Sequence, residues 1–288
     1  MEKRTLRIVY PQWQGGANPD YAFGAELLSQ IAPPSARDET VTVRVSRNFQ
    51  AELTQDDGIA GADMLLAQTA QIERGLREAM PERVIVFGGD CSVSQAPFDY
   101  LKSRYGAHLG ILWLDAHPDV ATLGDSAHLH EMVLGNLLGF GSGHALTRVA
   151  HTFSPEDVLL AGLPAEDLRE IDRGVKQWGL TIASPEQLQT DSRIALDWTA
   201  ARGITHLAVH WDLDVLAPAD YRSILPAKPH FDARDFPAAV GRMTLGTVGR
   251  LLRDVSEAAE IVGLSIAEHM PWDALNLRRT LADIPIFQ

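Results

Sequence analysis

Short apolar runs alternate with stretches of helical periodicity along this 288-residue chain. Leu6-Arg7-Ile8-Val9-Tyr10 has the make-up of an opening strand. From Tyr21 to Ile31, the residues Phe23, Leu27, Leu28 and Ile31 then recur at helical spacing. Val41 to Val45 predicts another strand, and Gly61 to Met80 an amphipathic helix closed by Pro81. Arg83-Val84-Ile85-Val86-Phe87 reads as a buried strand, Gln95 to Tyr105 as a helix, and Leu109 to Leu114 as the next strand. Further on, Asp157 to Gly162, Thr205 to Asp212 and Glu260 to Ile266 are strand candidates. Helices are expected over Pro185 to Arg202 and Thr244 to Ala258. Strands that alternate with helices build βαβ units. The expected fold is α/β, a three-layer α-β-α sandwich whose mostly parallel central sheet is covered on both faces. No internal repeat, low-complexity tract or Gly/Ser linker breaks the pattern, so residues 1–288 are expected to form a single domain.

Polar residues interrupt this pattern where strands run out. Asp115-Ala116-His117-Pro118-Asp119 follows one strand, and His210-Trp211-Asp212-Leu213-Asp214 ends another. On extended backbone alternate side chains share a face, which groups Asp115, His117 and Asp119, and likewise His210, Asp212 and Asp214. Four carboxylates on converging strand ends repel one another unless cations sit among them, so the direct reading is a divalent-metal site. Gly88-Gly89-Asp90-Cys91-Ser92 and Glu268-His269-Met270-Pro271 also lie at strand ends, where open α/β sheets form their sites. A lone Asp-x-His-x-Asp arises readily by chance. The shared position of all four segments is the stronger signal.

Composition narrows the partners. Lys and Arg number 25 against 38 Asp and Glu, a formal net charge of −13. No basic stripe is present for nucleic acid or an anionic membrane, and an acidic site suits a cationic small molecule. Cys91 is the single cysteine, so an intrachain disulfide is excluded and a reducing compartment fits. Met1 to Tyr10 lacks the apolar core of a signal peptide, and no apolar run reaches membrane-spanning length. A cytoplasmic protein is expected.

In their order, these motifs resemble the arginase–agmatinase–formiminoglutamase family of ureohydrolases. The family's Gly-Gly-Asp-His-Ser, Asp-Ala-His-x-Asp and Ser-x-Asp-x-Asp-x-x-Asp-Pro stand here as Gly88 to Ser92, Asp115 to Asp119 and His210 to Pro218. His130 is similar to the family's catalytic-loop histidine, Glu268 to its Glu-x-Asn-Pro glutamate, and Gly241-Arg242-Met243-Thr244 to its Gly-Gly-Leu-Thr. The resemblance spans residues 80 to 271. It implies an enzyme with two divalent metal ions, usually manganese, and a bridging hydroxide as nucleophile. Asp115, Asp119 and Asp212 would join the first metal with residue 91, while Asp115, His117, Asp212 and Asp214 would hold the second. Glu268 would anchor a guanidinium or amidinium group and His130 would shuttle protons to the leaving amine. A homo-oligomer, trimer or hexamer, is implied as well.

The departures are as informative. Cys91 stands where the family has a histidine ligand, and a thiolate favours zinc, iron, cobalt or nickel over manganese. Three outcomes stay open: a thiophilic metal, a protonated thiol beside a weakened first site, or a single bound metal. His210 replaces a serine and could supply the missing imidazole, although strand packing is the favoured reading. Ala217 replaces a loop-supporting aspartate. Ala121 replaces an asparagine that helps arginases hold the amino-acid end, so arginine is not the expected substrate. Glu166 or Asp167 could meet a second cationic group, but capping or solvation near a helix at Leu168 is the plainer expectation. Asp90 is expected to support the site, and His269 to line the entrance or pack. His128 is expected in a solvated loop, and His108, His144, His151, His206 and His230 at the surface or in turns. Trp113 and Trp211 are expected to face away from the metal as core. Two competing functions remain: a deacetylase-like amidohydrolase on the same fold, and a catalytically impaired arginase-like protein with a partial metal site.

Overall fold

The computed structural model describes residues 3–141 and 143–287. Its strands are β1 (Thr5–Tyr10), β2 (Glu39–Thr42), β3 (Gln55–Asp56), β4 (Ile59–Ala60), β5 (Arg83–Gly88), β6 (Leu109–Leu114), β7 (Val158–Ala161), β8 (Thr181–Ala183), β9 (His206–Asp212) and β10 (Glu260–Ala267). The α-helices are α1 (Asp20–Ile31), α2 (Ala62–Ala79), α3 (Gln95–Tyr105), α4 (Val133–Leu137), α5 (Gly174–Gln177), α6 (Pro185–Thr190), α7 (Arg193–Arg202), α8 (Leu245–Ala258) and α9 (Trp272–Ala282). Eight strands form one sheet in the order β2-β1-β5-β10-β9-β6-β7-β8. Every pairing within it is parallel, and β3 and β4 make a separate antiparallel pair.

Strand alternation divides the core. From β6, Leu109, Ile111 and Trp113 pack with Ile72 and Leu76 of α2, Phe98 and Leu101 of α3, and Val133 and Leu134 of α4. The intervening Leu112 and Leu114 pack on the other side with Ala195 and Trp198 of α7 and Val248, Leu251 and Val255 of α8. The sheet is therefore the middle of three layers, as the sequence predicts. The interior strand β6 is buried at every residue, whereas the edge strand β2 is largely exposed. Full burial on both faces explains why β6 reads as a continuous apolar run.

Three expectations shift. The second strand is Glu39–Thr42 rather than Val41 to Val45: after Val43 bonds to the Val9 carbonyl, the Arg44 N–H turns to Gln71 and the segment leaves the sheet. The predicted helix Pro185 to Arg202 is two, because Asp191 ends α6 and its carboxylate then accepts from Arg193 N–H to start α7. β3, β4, β8, α4, α5 and α9 have no counterpart in the sequence reading. No helix among the described residues is long and apolar enough to cross a membrane.

Candidate metal centre

Strands β5, β10, β9 and β6 are neighbours in the sheet, so the polar segments leaving their carboxyl ends emerge side by side. Cys91 opens a 3-10 turn after β5 that Asp90 caps, its carboxylate accepting from Ser92 N–H at 3.1 Å. The same carboxylate accepts from Gln12 Nε2 at 3.0 Å and Gly16 N–H at 3.2 Å, tying in the loop after β1. A Cβ on Gly89 would sit 1.6 Å from the Gln12 carbonyl oxygen. Gly-Gly-Asp here is thus a device for packing two strand-end loops, and Asp90 plays the expected supporting role.

Above these loops lies an acidic bed. Asp115, Asp119, Asp212, Asp214 and Cys91 are each at most 5% exposed. His117 Nδ1 lies 3.2 Å from Asp214 Oδ2 and 3.5 Å from Asp115 Oδ1, while its Nε2 donates to the Ala239 carbonyl at 3.1 Å. That outer bond fixes which ring nitrogen faces the carboxylates. Asp119 adopts a left-handed φ of 49°, an uncommon conformation for a residue with a side chain, and Gly135 N–H holds its carbonyl at 3.1 Å. Cys91 Sγ–H donates to Asp212 Oδ2 at 2.9 Å.

These groups form overlapping clusters with ligand atoms within 4.8 Å of one another. One joins Cys91, Asp115, Asp119 and His210; another joins Asp115, His117 and Asp214; a third joins Asp212, Asp214 and Glu268. Burial and the Asp115 charge push the Asp119 carboxyl well above the usual range, and burial and Asp214 do the same to Asp212. Burial, reinforced by Asp212, raises the Cys91 thiol. Asp119 Oδ2, Asp214 Oδ1 and His210 Nε2 are buried with no hydrogen-bond partner. Divalent cations suit this set, because they would satisfy the orphaned atoms and reverse the mutual repulsion.

Glu268 closes the bed from β10. Its φ is 60°, and its N–H is held by the Gly89 carbonyl at 2.7 Å. Tyr21 donates to Oε2 at 2.6 Å; on Oε1, His130 Nδ1 lies at 3.0 Å and Cys91 Sγ at 3.5 Å. Burial pulls the His130 ring toward neutrality, but the bond to Glu268 more than offsets this and leaves its pKa raised. Tyr21 is a contact that sequence reasoning missed. It lies 247 residues from Glu268, and α1 is seated by His269 Nδ1 donating to the Gly24 carbonyl at 3.1 Å. No local pattern signals a pairing of that range.

Other residues depart from expectation. Trp113 does not face away: it sits two residues before Asp115, so both share a face, and its indole donates to Asp115 Oδ2 at 3.1 Å. His210 stacks on Trp113 with ring centroids 3.8 Å apart, yet its Nε2 edge joins the Cys91 cluster. His144 is buried rather than at the surface, accepting from Leu146 N–H at 3.0 Å. No α-helix begins at Leu168; Glu166 and Asp167 lie in a 3-10 turn and both bond Arg242. The loop lacking an aspartate at Ala217 is held by Ala217 N–H on the Met243 carbonyl, and Asp220 caps Leu245 N–H at 2.8 Å. The 121–129 loop is strapped down by Arg173 on Asp125 at 2.8 Å, with Arg169 on Glu131 at 3.0 Å beyond it.

A parallel α/β sheet with a carboxylate and imidazole bed beyond its strand ends defines an α/β protein with side-chain groups that could hold metal ions. The Arginase family model matches residues 23–224, and the chain belongs to that family. An arginase of Staphylococcus aureus (strain MRSA252) is 23% identical over 185 residues, 60% of this chain and 58% of that relative. The chain thus aligns with little more than half the length of that relative. In fold it is similar to Entamoeba histolytica arginase in complex with L-ornithine (TM-score 0.74, 15% identity, 93% of this chain and 91% of that one). It is likewise similar to formimidoylglutamase from Bacillus subtilis (TM-score 0.66, 13% identity, 94% and 80%).

Proposed function

We propose that this chain is a metal-dependent hydrolase that cleaves a linear C–N bond in a cationic guanidino or amidino compound other than arginine. One observation carries the reading: the acidic bed and Glu268 lie together at neighbouring strand ends, and His130 is bonded to Glu268 beside them. Asp115, His117, Asp119, Asp212, Asp214 and Cys91 would hold two divalent ions. When bound, such a pair supplies Lewis acidity and an activated water at neutral pH. Glu268 would bind the substrate cation by charge-assisted hydrogen bonds, with Tyr21 keeping Oε2 fixed and Oε1 turned to the ligand. His130 would hand a proton from Nε2 to the leaving amine while Nδ1 stays on Glu268.

Two features support a substrate other than arginine. Ala121 is apolar and 4% exposed, so it offers no side-chain group to an amino-acid end. Glu166 and Asp167 are engaged by Arg242 rather than free for a second cationic group. The likeness to a formimidoylglutamase keeps amidino compounds within the class.

The test is to load the protein with manganese, zinc, cobalt or nickel, measure bound metal, and screen guanidino and amidino compounds for released urea or ammonia. Release from at least one compound with about two ions bound per chain is the expected result. No release with any pairing, together with less than about one ion per chain, overturns the proposal.

A further inference from the structure

Among the described residues, the exposed apolar Leu277, Leu281, Ile284 and Ile286 near the carboxyl end have nothing over them to identify an occupant. The Arg242 cluster with Glu166, Asp167 and Glu186 is already internally paired. His210 is different, because its burial, its orphaned nitrogen and its neighbours all point to one ligand.

His210 lies in the middle of β9, fully buried. The sheet register places it level with Trp113 on β6 and Ser265 on β10, one side-chain row beneath Asp115 and Asp212. Its ring is gripped on one edge: Nδ1 is 2.8 Å from Ser94 Oγ and 3.4 Å from Ser265 Oγ, and the two hydroxyls are 2.6 Å from each other. The opposite edge presents Nε2, which has no hydrogen-bond partner. Asp115 Oδ2 is 3.6 Å from it, too far for a hydrogen bond. His210 clusters with Cys91, Asp115 and Asp119, the four ligand atoms lying within 4.8 Å of one another.

Stacking on Trp113 accounts for the plane of the ring but not for its edge. A packing histidine would place its second nitrogen on a donor or acceptor, as buried polar groups do. A ligating histidine is held by its outer nitrogen and presents the inner one bare. Ser94 and Ser265 supply that outer grip here.

We propose that His210 is a metal ligand that replaces the imidazole absent at position 91. The first metal position is then a Cys91, Asp115, Asp119 and His210 set, with the imidazole supplied from strand β9 instead of the loop after β5. This inference rests on the metal reading proposed above. A thiolate, an imidazole and two carboxylates would make a mixed, borderline-soft donor set. Such a site prefers zinc, cobalt or iron(II) to manganese.

The experiment uses the full chain loaded with zinc or cobalt(II), reading metal stoichiometry, affinity by chelator competition, and the cobalt absorption spectrum. His210→Ser should lower affinity at one position by roughly a hundredfold or more and alter the thiolate-to-cobalt band. Cys91→His combined with His210→Ser should regain that position, with preference moved toward manganese. Circular dichroism controls for folding. X-ray absorption of the zinc-loaded natural protein provides a readout without substitution: two imidazoles shared by two ions, His117 and His210, against one if His210 only packs.

Stoichiometry, affinity and spectrum unchanged in His210→Ser would overturn this inference while leaving the hydrolase reading intact. So would a count of one imidazole. A natural protein that binds no metal at all would overturn both. Urea or ammonia release without a loss in His210→Ser would separate the two in favour of the hydrolase reading alone.

Discussion

The two halves of the acidic bed share Asp115 but are finished in different ways. On the Asp214 side, His117 sits between Asp115 and Asp214 and its outer nitrogen rests on the Ala239 carbonyl. Every residue there matches the family motif. On the Cys91 side, position 91 departs from the family motif, and two buried atoms, Asp119 Oδ2 and His210 Nε2, are left without partners, against Asp214 Oδ1 on the other side. Where the motif residues are all present, the outer bond that orients the imidazole is in place as well. Where one is substituted, the outcome depends on what the sheet register brings alongside.

Asp115 is the point where the halves meet, so its loss should have the largest effect. Asp115→Asn should cut turnover on the order of 10³-fold or more and lower metal content at both positions, as measured by steady-state rates and atomic emission. Retention of full metal content would mean that the halves are independent. Cys91→His tests the altered half alone. It should raise manganese affinity by roughly tenfold, about 1.4 kcal/mol, in chelator competition. An unchanged manganese affinity would show that His210 or the loop geometry, rather than the thiol, sets metal choice.

The contrast also marks what was legible in the sequence. Asp115, His117, Asp212 and Asp214 announce themselves through two-residue spacing after apolar runs, although only Asp212 lies within its strand: Asp115 and His117 follow β6, and Asp214 sits in the 3-10 turn after β9. Cys91 and Glu268 were visible as strand-end residues of neighbouring strands. His210 was visible, but its proximity to Cys91 depends on the pairing of Trp113 with His210 across strands, which no single strand encodes. The side of the sheet taken by Trp113 follows from a spacing of two to Asp115, and counting along the strand corrects it. β8, three residues long, is too short to carry a periodicity, and Tyr21 owes its role to a contact across nearly the whole chain.

Tyr21 supplies the next prediction, smaller because it acts through Glu268. Burial, and then the charge of Glu268, raises the Tyr21 hydroxyl well above its ordinary pKa, so it is a neutral donor at working pH. Tyr21→Phe leaves Glu268 Oε2 buried without that bond. The expected cost is about 1–3 kcal/mol of stability in urea unfolding. The kinetic effect should fall mainly on KM, since Glu268 is argued to bind the substrate cation. A loss confined to stability would mean that Tyr21 only seats α1 and does not orient the carboxylate.

The smallest effect belongs to the strap over the 121–129 loop, whose ion pair takes no part in the acidic clusters. The Arg173 guanidinium bonded to Asp125, with help from Thr122, holds that carboxyl at about 2, below its ordinary value of 3.8. A depressed carboxyl contributes stability that is fully present above the ordinary value and is lost as pH falls toward the folded one. The stability gap between the natural protein and Asp125→Asn should thus be constant above about pH 5 and close between about pH 4 and pH 2, read from urea midpoints at each pH. The pair is at the surface, so the gap should be smaller than that of Tyr21→Phe and should shrink further in salt. If the strap orders the loop over the site, Asp125→Asn should also raise KM modestly at neutral pH. Unaltered kinetics with an altered midpoint would confine the ion pair to stability and leave the chemistry to the bed beneath it.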